Sequence, residues 1–347
     1  MLRILESIPP GLLKAPTDKL ADILGGPTLL HLPGSGRGTL FVSTLLHGNE
    51  TTGWNALRQM LLEFEGTQLP RPLSIFIGNV KAAKTRHRHL DGQPDFNRIW
   101  SSKSGAESGP GTGLEEAMAA QVLTAIEAIE PIICLDIHNT SGENPVYGCI
   151  HRLDDESLPL ARAFSTTQVY VDQPDSMLGV ACSKLAPTLT LECGISGRRE
   201  VTNRTAQFIR ACLEHERPLQ MMPLSAQHQL LRPVARVRIP EQISFSFDDQ
   251  QPCDEVDLCF KSGLDGHNFS TLPAGTSIGR IRPGVKVRLN VEDDSGGDLY
   301  EHYFRTDTQD LVTASPLIPS LLTVNSRIIR QDCLCYLMEP MSFPEVH

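Results

Sequence analysis

Hydrophobic and polar positions give this chain two textures. Between residues 39 and 214, short β-rich apolar runs alternate with longer stretches of helical spacing. TLFVSTLLH at 39–47 reads as a buried strand ending at His47-Gly48, since a short apolar run bounded by turn residues fits a strand covered on both faces. Residues 50–65 then read as a helix with Trp54, Leu57, Leu61 and Leu62 on one face. LSIFIGNV at 73–80 is a second strand, and SSKSGAESGPGTG at 101–113 is a loop by composition. A helix at 114–130 is stopped by Pro131 and leads into strand PIICLDIH at 131–138; PTLTLECG at 187–194 is a further strand, and 201–214 a further helix.

This alternation predicts an α/β domain with a mixed, mostly parallel sheet flanked by helices. His47, His138 and Glu192 fall at or near the last positions of three apolar strands, and in such sheets ligands gather beyond the carboxyl ends of strands. After about residue 225 the texture changes. VARVRIP, ISFSF, VDLCF, KVRLNV and IIRQDCLCYLM read as strands separated by Gly, Pro and Asp turns, without a helical pattern. The expectation is a catalytic domain over 1–225 and a smaller, all-β domain over 226–347, with the boundary near RPLQMMPLSAQ.

At 347 residues the chain is longer than one core usually supports, and 40% hydrophobic and 21% charged residues are ordinary globular values. A net charge of -10 argues against a general nucleic-acid binder, which needs clustered cations, but allows a local basic pocket for a small anion. The N-terminal residues form neither a secretory signal nor a membrane span. Nine cysteines without any C-x-x-C pair, Cys333 and Cys335 included, read as reduced packing thiols, so a cytoplasmic protein is expected.

His47-Gly-Asn-Glu50 places two metal-ligand types three residues apart at a strand-to-helix turn. Taken alone it is a weak signal: 11 histidines and 41 acidic residues produce about one such match by chance, and His151 to Asp154, read as an exposed loop, is another. His138 changes the weighing. A catalytic zinc takes three protein ligands, commonly two His and a carboxylate, and burying these three groups at a sheet edge without a cation would be costly. Glu192 adds a carboxylate suited to general base and acid work beside a metal-activated water.

Four segments in this order, His47-Gly-Asn-Glu50, Asp95-Phe-Asn97-Arg98, Asp136-Ile-His138-Asn-Thr and Glu192-Cys-Gly194, resemble the aspartoacylase and succinylglutamate desuccinylase family, relatives of the zinc carboxypeptidases. The resemblance spans roughly residues 40–200. It implies one zinc per chain held by His47, Glu50 and His138, with Glu192 as the catalytic carboxylate. It further implies that Asn97 and Arg98 grip a substrate carboxylate, that Asp95 orients His47, and that Arg88 polarises the scissile carbonyl. The interval from Arg88 to Asn97 is about two residues longer than the family's pattern, which makes Arg86 a rival. Tyr300 and Tyr303 are candidates for a tyrosine contributed by the β-domain, against strand packing; Arg198 and Arg199 for reading a second acidic group, against surface charge.

The implied activity is hydrolysis of an amide bond in an N-acyl amino acid or similar small carboxylate-bearing substrate, with a metallocarboxypeptidase acting on short peptides as the alternative. A zinc-holding binding protein and a structural zinc site fit less well, because a general base is present and no fourth Cys or His ligand accompanies the motifs. Gly34-Ser-Gly-Arg-Gly38 precedes a strand and is a turn, and no Gly-x-Ser-x-Gly elbow occurs. No nucleic-acid or membrane partner is expected, and self-association is left open.

Overall fold

A computed structural model describes residues 2–101, 113–215, 227–247 and 253–344. The chain divides into two compact units: Met1–Asn139 with Val146–Gln229 and Phe343–His347, and Thr140–Pro145 with Leu230–Ser342. The expected loop at 101–113 and the linker RPLQMMPLSAQ lie almost entirely outside the described residues.

In the first unit the strands are β1 (Arg3–Leu5), β2 (Thr28–Leu32), β3 (Thr39–Thr44), β4 (Leu73–Ile77), β5 (Pro131–Thr140), β6 (Tyr147–Ile150), β7 (Thr167–Tyr170) and β8 (Thr188–Ile195). They lie in the order β1-β2-β4-β3-β5-β8-β6-β7. β3 runs parallel to β4 and β5, whereas β8 is antiparallel to β6, so the sheet is mixed as its sequence pattern requires. The helices are α1 (Leu20–Leu24), α2 (Thr52–Glu63), α3 (Val80–Thr85), α4 (Gly113–Ala128), α5 (Ser157–Phe164), α6 (Leu178–Ser183) and α7 (Arg199–Glu214). α4 buries Met118, Val122 and Ile126, one per turn, in a cluster with Phe76, Phe96 and Trp100. α2 buries Trp54, Leu57, Met60 and Leu61, while Leu62, expected on that face, is 42% exposed.

Two segments depart from the sequence reading. The run at 73–80 is divided: β4 ends at Ile77, and Asn79 caps α3 by accepting from the Ala82 amide, so Val80 opens a helix instead of ending a strand. β3 stops at Thr44 because Leu45 adopts a positive φ of 57°, which puts His47 on a turn beyond the strand.

The second unit is mainly β. β9 (Gln229–Arg238) pairs antiparallel with β17 (Cys335–Met341) and β13 (Asn290–Glu292), and β17 pairs with β16 (Ile318–Ser320). A separate sheet runs β10 (Phe245–Ser246), β11 (Leu258–Phe260), β12 (Ser277–Ile281), β15 (Asp310–Thr313), β14 (Phe304–Asp307). Short helices α8 (Tyr300–Tyr303) and α9 (Ser326–Gln331) interrupt it, the latter capped by the Asn325 side chain. Tyr300 and Tyr303 are therefore helical, and both are buried in this unit's apolar core. Seven cysteines are free and buried, but Cys253 and Cys259 form a disulfide, a correction to the all-thiol expectation. Among the described residues no helix is long and apolar enough to cross a membrane.

Candidate metal centre and active site

Gly48 lets the His47 turn lie against α3: a Cβ there would come within 2.2 Å of the Ala82 backbone, so a side chain is excluded. The Gly48 amide donates to the Arg88 carbonyl, and the Glu50 amide to the His47 carbonyl, which closes the turn. Glu50 precedes α2 by two residues, and His138 lies inside β5 with its side chain 3% exposed.

These elements bring His47, Glu50 and His138 together, with one ligand atom from each lying within 4.8 Å of the others. His47 Nδ1 is 2.8 Å from Glu50 Oε1, and His138 Nδ1 is 2.8 Å from Glu50 Oε2. Each imidazole presents its other nitrogen to a second carboxylate: His47 Nε2 is 2.8 Å from Asp95 Oδ1, and His138 Nε2 is 3.0 Å from Asp136 Oδ2. When each Nε2–H donates to its carboxylate, the Nδ1 lone pairs converge on the Glu50 carboxylate, a donor set that fits a divalent cation. The group can thus hold a metal ion.

Electrostatics point the same way. Burial opposes charge on His47 and His138, yet the surrounding carboxylates outweigh it and raise both pKa values, His138 more strongly. Burial alone would raise Glu50, but the two imidazoles bring it below the ordinary carboxylate range. Asp95 is likewise lowered against its burial, by His47 and then Arg88. The cluster is a set of anions that concentrates positive charge at its centre. One atom is left over: Asp136 Oδ1 is buried and has no hydrogen-bond partner among the described residues. The sequence reading gave Asp136 no role, although an Asp-x-His spacing on a strand puts both side chains on one face.

Glu192 lies in β8 opposite Tyr147 and is partly buried. Its pKa is pushed up to about 7, mainly by desolvation; Glu50 and Asp136 add to the rise and the two histidines oppose it. A carboxyl that titrates near neutrality suits proton transfer in both directions.

The Asp95–Arg98 turn is anchored by its apolar neighbours Phe96, Ile99 and Trp100, all buried. Asp95 Oδ1 also accepts from the Asn97 amide at 2.7 Å, and Asp95 Oδ2 from Arg88 Nη2 at 3.0 Å. Arg88 Nη1 lies 3.6 Å from Glu50 Oε1, so this guanidinium borders the ligand group. Arg86 is exposed, at the left-handed end of α3. Asn97 Oδ1 accepts from Leu178 N at the start of α6, and Arg98 Nη1 donates to the Asn97 carbonyl. Arg198 and Arg199 are exposed where α7 begins.

His151 corrects the sequence reading, because it is 5% exposed rather than on an open loop. It follows β6, its Nδ1 donating to Val171 O at 2.6 Å and its Nε2 facing Thr190 Oγ1 at 2.9 Å. Gly179 of α6 packs so closely that a Cβ would lie 2.3 Å from His151 Nε2. With both nitrogens occupied, it is a packing histidine.

Residues 37–216 match the succinylglutamate desuccinylase/aspartoacylase catalytic domain. No curated protein matches the sequence. The fold is similar to that of a succinylglutamate desuccinylase from Vibrio parahaemolyticus, with a TM-score of 0.59 and 16% identity over 90% of this chain and 86% of that one. The corresponding enzyme from Chromobacterium violaceum has a TM-score of 0.56 and 16% identity over 90% and 87%. Murine aminoacylase 3 has 0.54 and 16% over 88% and 97%. The solved structures share the fold, and the matched catalytic domain takes in more than half of the 347 residues together with the whole ligand group. The chain belongs to the succinylglutamate desuccinylase/aspartoacylase family.

Proposed function

We propose that this protein is a zinc-dependent hydrolase cleaving the amide bond of an N-acyl amino acid or a similar small, carboxylate-bearing molecule. The observation that carries the reading is the convergence of two imidazole Nδ1 atoms and the Glu50 carboxylate, each imidazole braced from behind by a carboxylate. Two nitrogens and an oxygen suit zinc, and three protein ligands leave room for chemistry. When bound, the cation supplies Lewis acidity toward a carbonyl oxygen and lowers the pKa of water.

The chain's own groups supply the remainder. Glu192, with a pKa near 7, takes a proton from water as its oxygen bonds to the amide carbon, then returns that proton to the nitrogen as the C–N bond breaks. Arg88, fixed on Asp95, offers positive charge to the developing oxyanion. Arg98 and the Asn97 amide group provide donors for a substrate carboxylate. The names of the related enzymes, which act on succinylglutamate and on acyl amino acids, support this substrate class.

The test is a hydrolysis screen of the purified, zinc-loaded protein against N-acylated acidic, neutral and basic amino acids, with dipeptides as the peptidase arm and zinc content measured in parallel. One zinc per chain and turnover of an N-acyl amino acid are expected. Glu192→Gln should lower kcat by about 10² to 10⁴-fold with zinc retained. Full activity in that variant, or no zinc in the wild type, would overturn the reading.

A further inference from the structure

Asn139 follows a ligand in the sequence, but alternation along β5 turns its side chain away from that of His138. It is 7% exposed, and its amide is fully used. Oδ1 accepts from the Thr52 amide at 3.1 Å, at the start of α2. Nδ2 donates to Thr52 Oγ1 at 2.9 Å and to the Gly194 carbonyl at 2.8 Å. The Asn139 backbone amide donates to Glu50 Oε2 at 3.2 Å.

One residue therefore bonds to the Glu50 segment and to the Glu192 strand and adjoins His138 in the chain. Thr52 lies two residues beyond Glu50, Gly194 lies two residues beyond Glu192, and His138 is the preceding residue. Gly194 has φ 62°, a left-handed turn within β8 that exposes its carbonyl to this bond. A side chain with one acceptor and two donors on a single plane is needed, and an amide is the side chain that supplies both. A second, less buried link runs alongside, from the Thr51 amide to Ser196 Oγ at 3.1 Å. Ser196, just past the end of β8, also meets the Thr51 hydroxyl at 2.8 Å, whereas Asn139 reaches both segments from a third one, β5.

We propose that Asn139 is a positioning residue that sets the distance between the Glu192 carboxylate and the His47–Glu50–His138 group. It touches no reacting atom. Its work is to hold β8 and the start of α2 on one buried amide, so that the proton acceptor and the ligands keep one geometry. The proposal rests on the hydrolase reading above for its kinetic consequence, though its effect on metal affinity does not depend on any substrate.

Two variants test it. Asn139→Ala removes the link, and Thr52→Val keeps volume and the Thr52 amide donor while deleting the hydroxyl acceptor. Each is assayed under saturating zinc with the N-acyl amino acid turned over fastest in the screen. A misplacement of about 1 Å costs about 10²-fold, so kcat should fall by that factor in Asn139→Ala and about tenfold in Thr52→Val, with KM changed less than threefold. Zinc affinity, read by chelator competition with Zn²⁺ alone, should fall about tenfold in Asn139→Ala, because the Glu50 segment loosens. A purely structural role would lower Tm while leaving kcat per zinc-loaded molecule intact, and that result overturns the proposal. So does a rise in KM at constant kcat. Wild-type protein that hydrolyses nothing would sink the hydrolase reading instead, and the zinc competition would still decide whether Asn139 organises the ligands.

Discussion

The two histidines of the ligand group are held by opposite means. His138 belongs to the middle of the sheet: it lies within β5, its partner Asp136 is two residues earlier on the same strand, and both side chains are 3% exposed. His47 belongs to a turn: it follows a break in β3, and its partner Asp95 arrives from 48 residues away on a loop, 22% exposed and paired with Arg88. The His47 half is balanced by an arginine. The His138 half is buried, and its carboxylate keeps one oxygen without a hydrogen-bond partner among the described residues. Asp136 is compensated through His138 alone, whereas Asp95 has both His47 and Arg88, so the two halves differ in how much they need positive charge at the centre. On the proposed reading, the strand half would fix where a cation goes, and the turn half would link that position to Arg88, Asn97 and Arg98.

Removing the cation should show the largest effect. Chelation should lower turnover by about 10³-fold or more, since a Lewis acid contributes several kcal/mol to the transition state, and added zinc should restore it. Activity that survives dialysis against chelator, with metal shown to be absent, would end the argument. One substitution in each half tells the two apart. Asp136→Asn should weaken zinc binding by about 10 to 100-fold and leave the kcat of the reloaded enzyme within a few-fold, because only the ligand's orientation is lost. Asp95→Asn should weaken zinc less and lower kcat by about 10²-fold, because Arg88 loses its anchor beside the ligand group. Equal profiles for the two variants would show the halves to be equivalent.

The pH dependence addresses the group that serves both halves. In the proposed mechanism Glu192 is a base in its ionised form, and desolvation raises its pKa to about 7, so kcat/KM should fall as pH drops below that value. A bound cation favours the carboxylate, which puts the limb at or below 7. Stability carries the opposite sign. A carboxyl whose folded pKa is raised favours its protonated form, so it contributes stability at pH below 4.5 that is lost as pH rises to about 7. Metal-free Glu192→Gln should therefore be more stable than metal-free wild type above pH 7, by up to about 3 kcal/mol at 1.36 kcal/mol per pKa unit. Thermal melts of both proteins at pH 5 and pH 8 check this; a gap that does not widen at pH 8 would contradict the desolvated environment of Glu192.

What could be read in the sequence follows from the same contrast. Apolar runs announced β5 and β8, and a polar residue within such a run has few reasons to be there, so His138 and Glu192 stood out. The His47 turn is legible through the three-residue spacing of His47 and Glu50 and the family's order of motifs, but its departure from the strand is not, because a positive φ at Leu45 leaves no mark on composition. The segment from β6 to α6 gives little periodic signal, its strands being four residues long, and so composition alone places His151 on an exposed loop. Asp136 could have been found from strand alternation. Asn139 could not, since its partners at Thr52 and Gly194 are 87 and 55 residues away and nothing local selects them. The division at 225/226 rested on a change of texture, and its expected linker falls outside the described residues.

The mildest change falls on the turn half, at the interval between α3 and Asn97. Arg86 and Arg88 are two residues apart, and sequence alone left them as rivals. In the structure Arg86 ends α3 in a left-handed conformation, exposed, while Arg88 reaches Asp95 and borders Glu50. Arg86→Ala should thus leave kcat/KM within about twofold, the range of an ordinary surface change. Arg88→Lys should not be neutral, because an ammonium cannot bond Asp95 and face the ligand group through one rigid fork. The two variants would be compared under saturating zinc and again in high salt, which screens an exposed charge but barely affects a partly buried one. Were Arg86→Ala to cost tenfold while Arg88→Lys cost nothing, the roles of the two arginines would be exchanged, and the turn half would have to be rebuilt around a helix end rather than around Asp95.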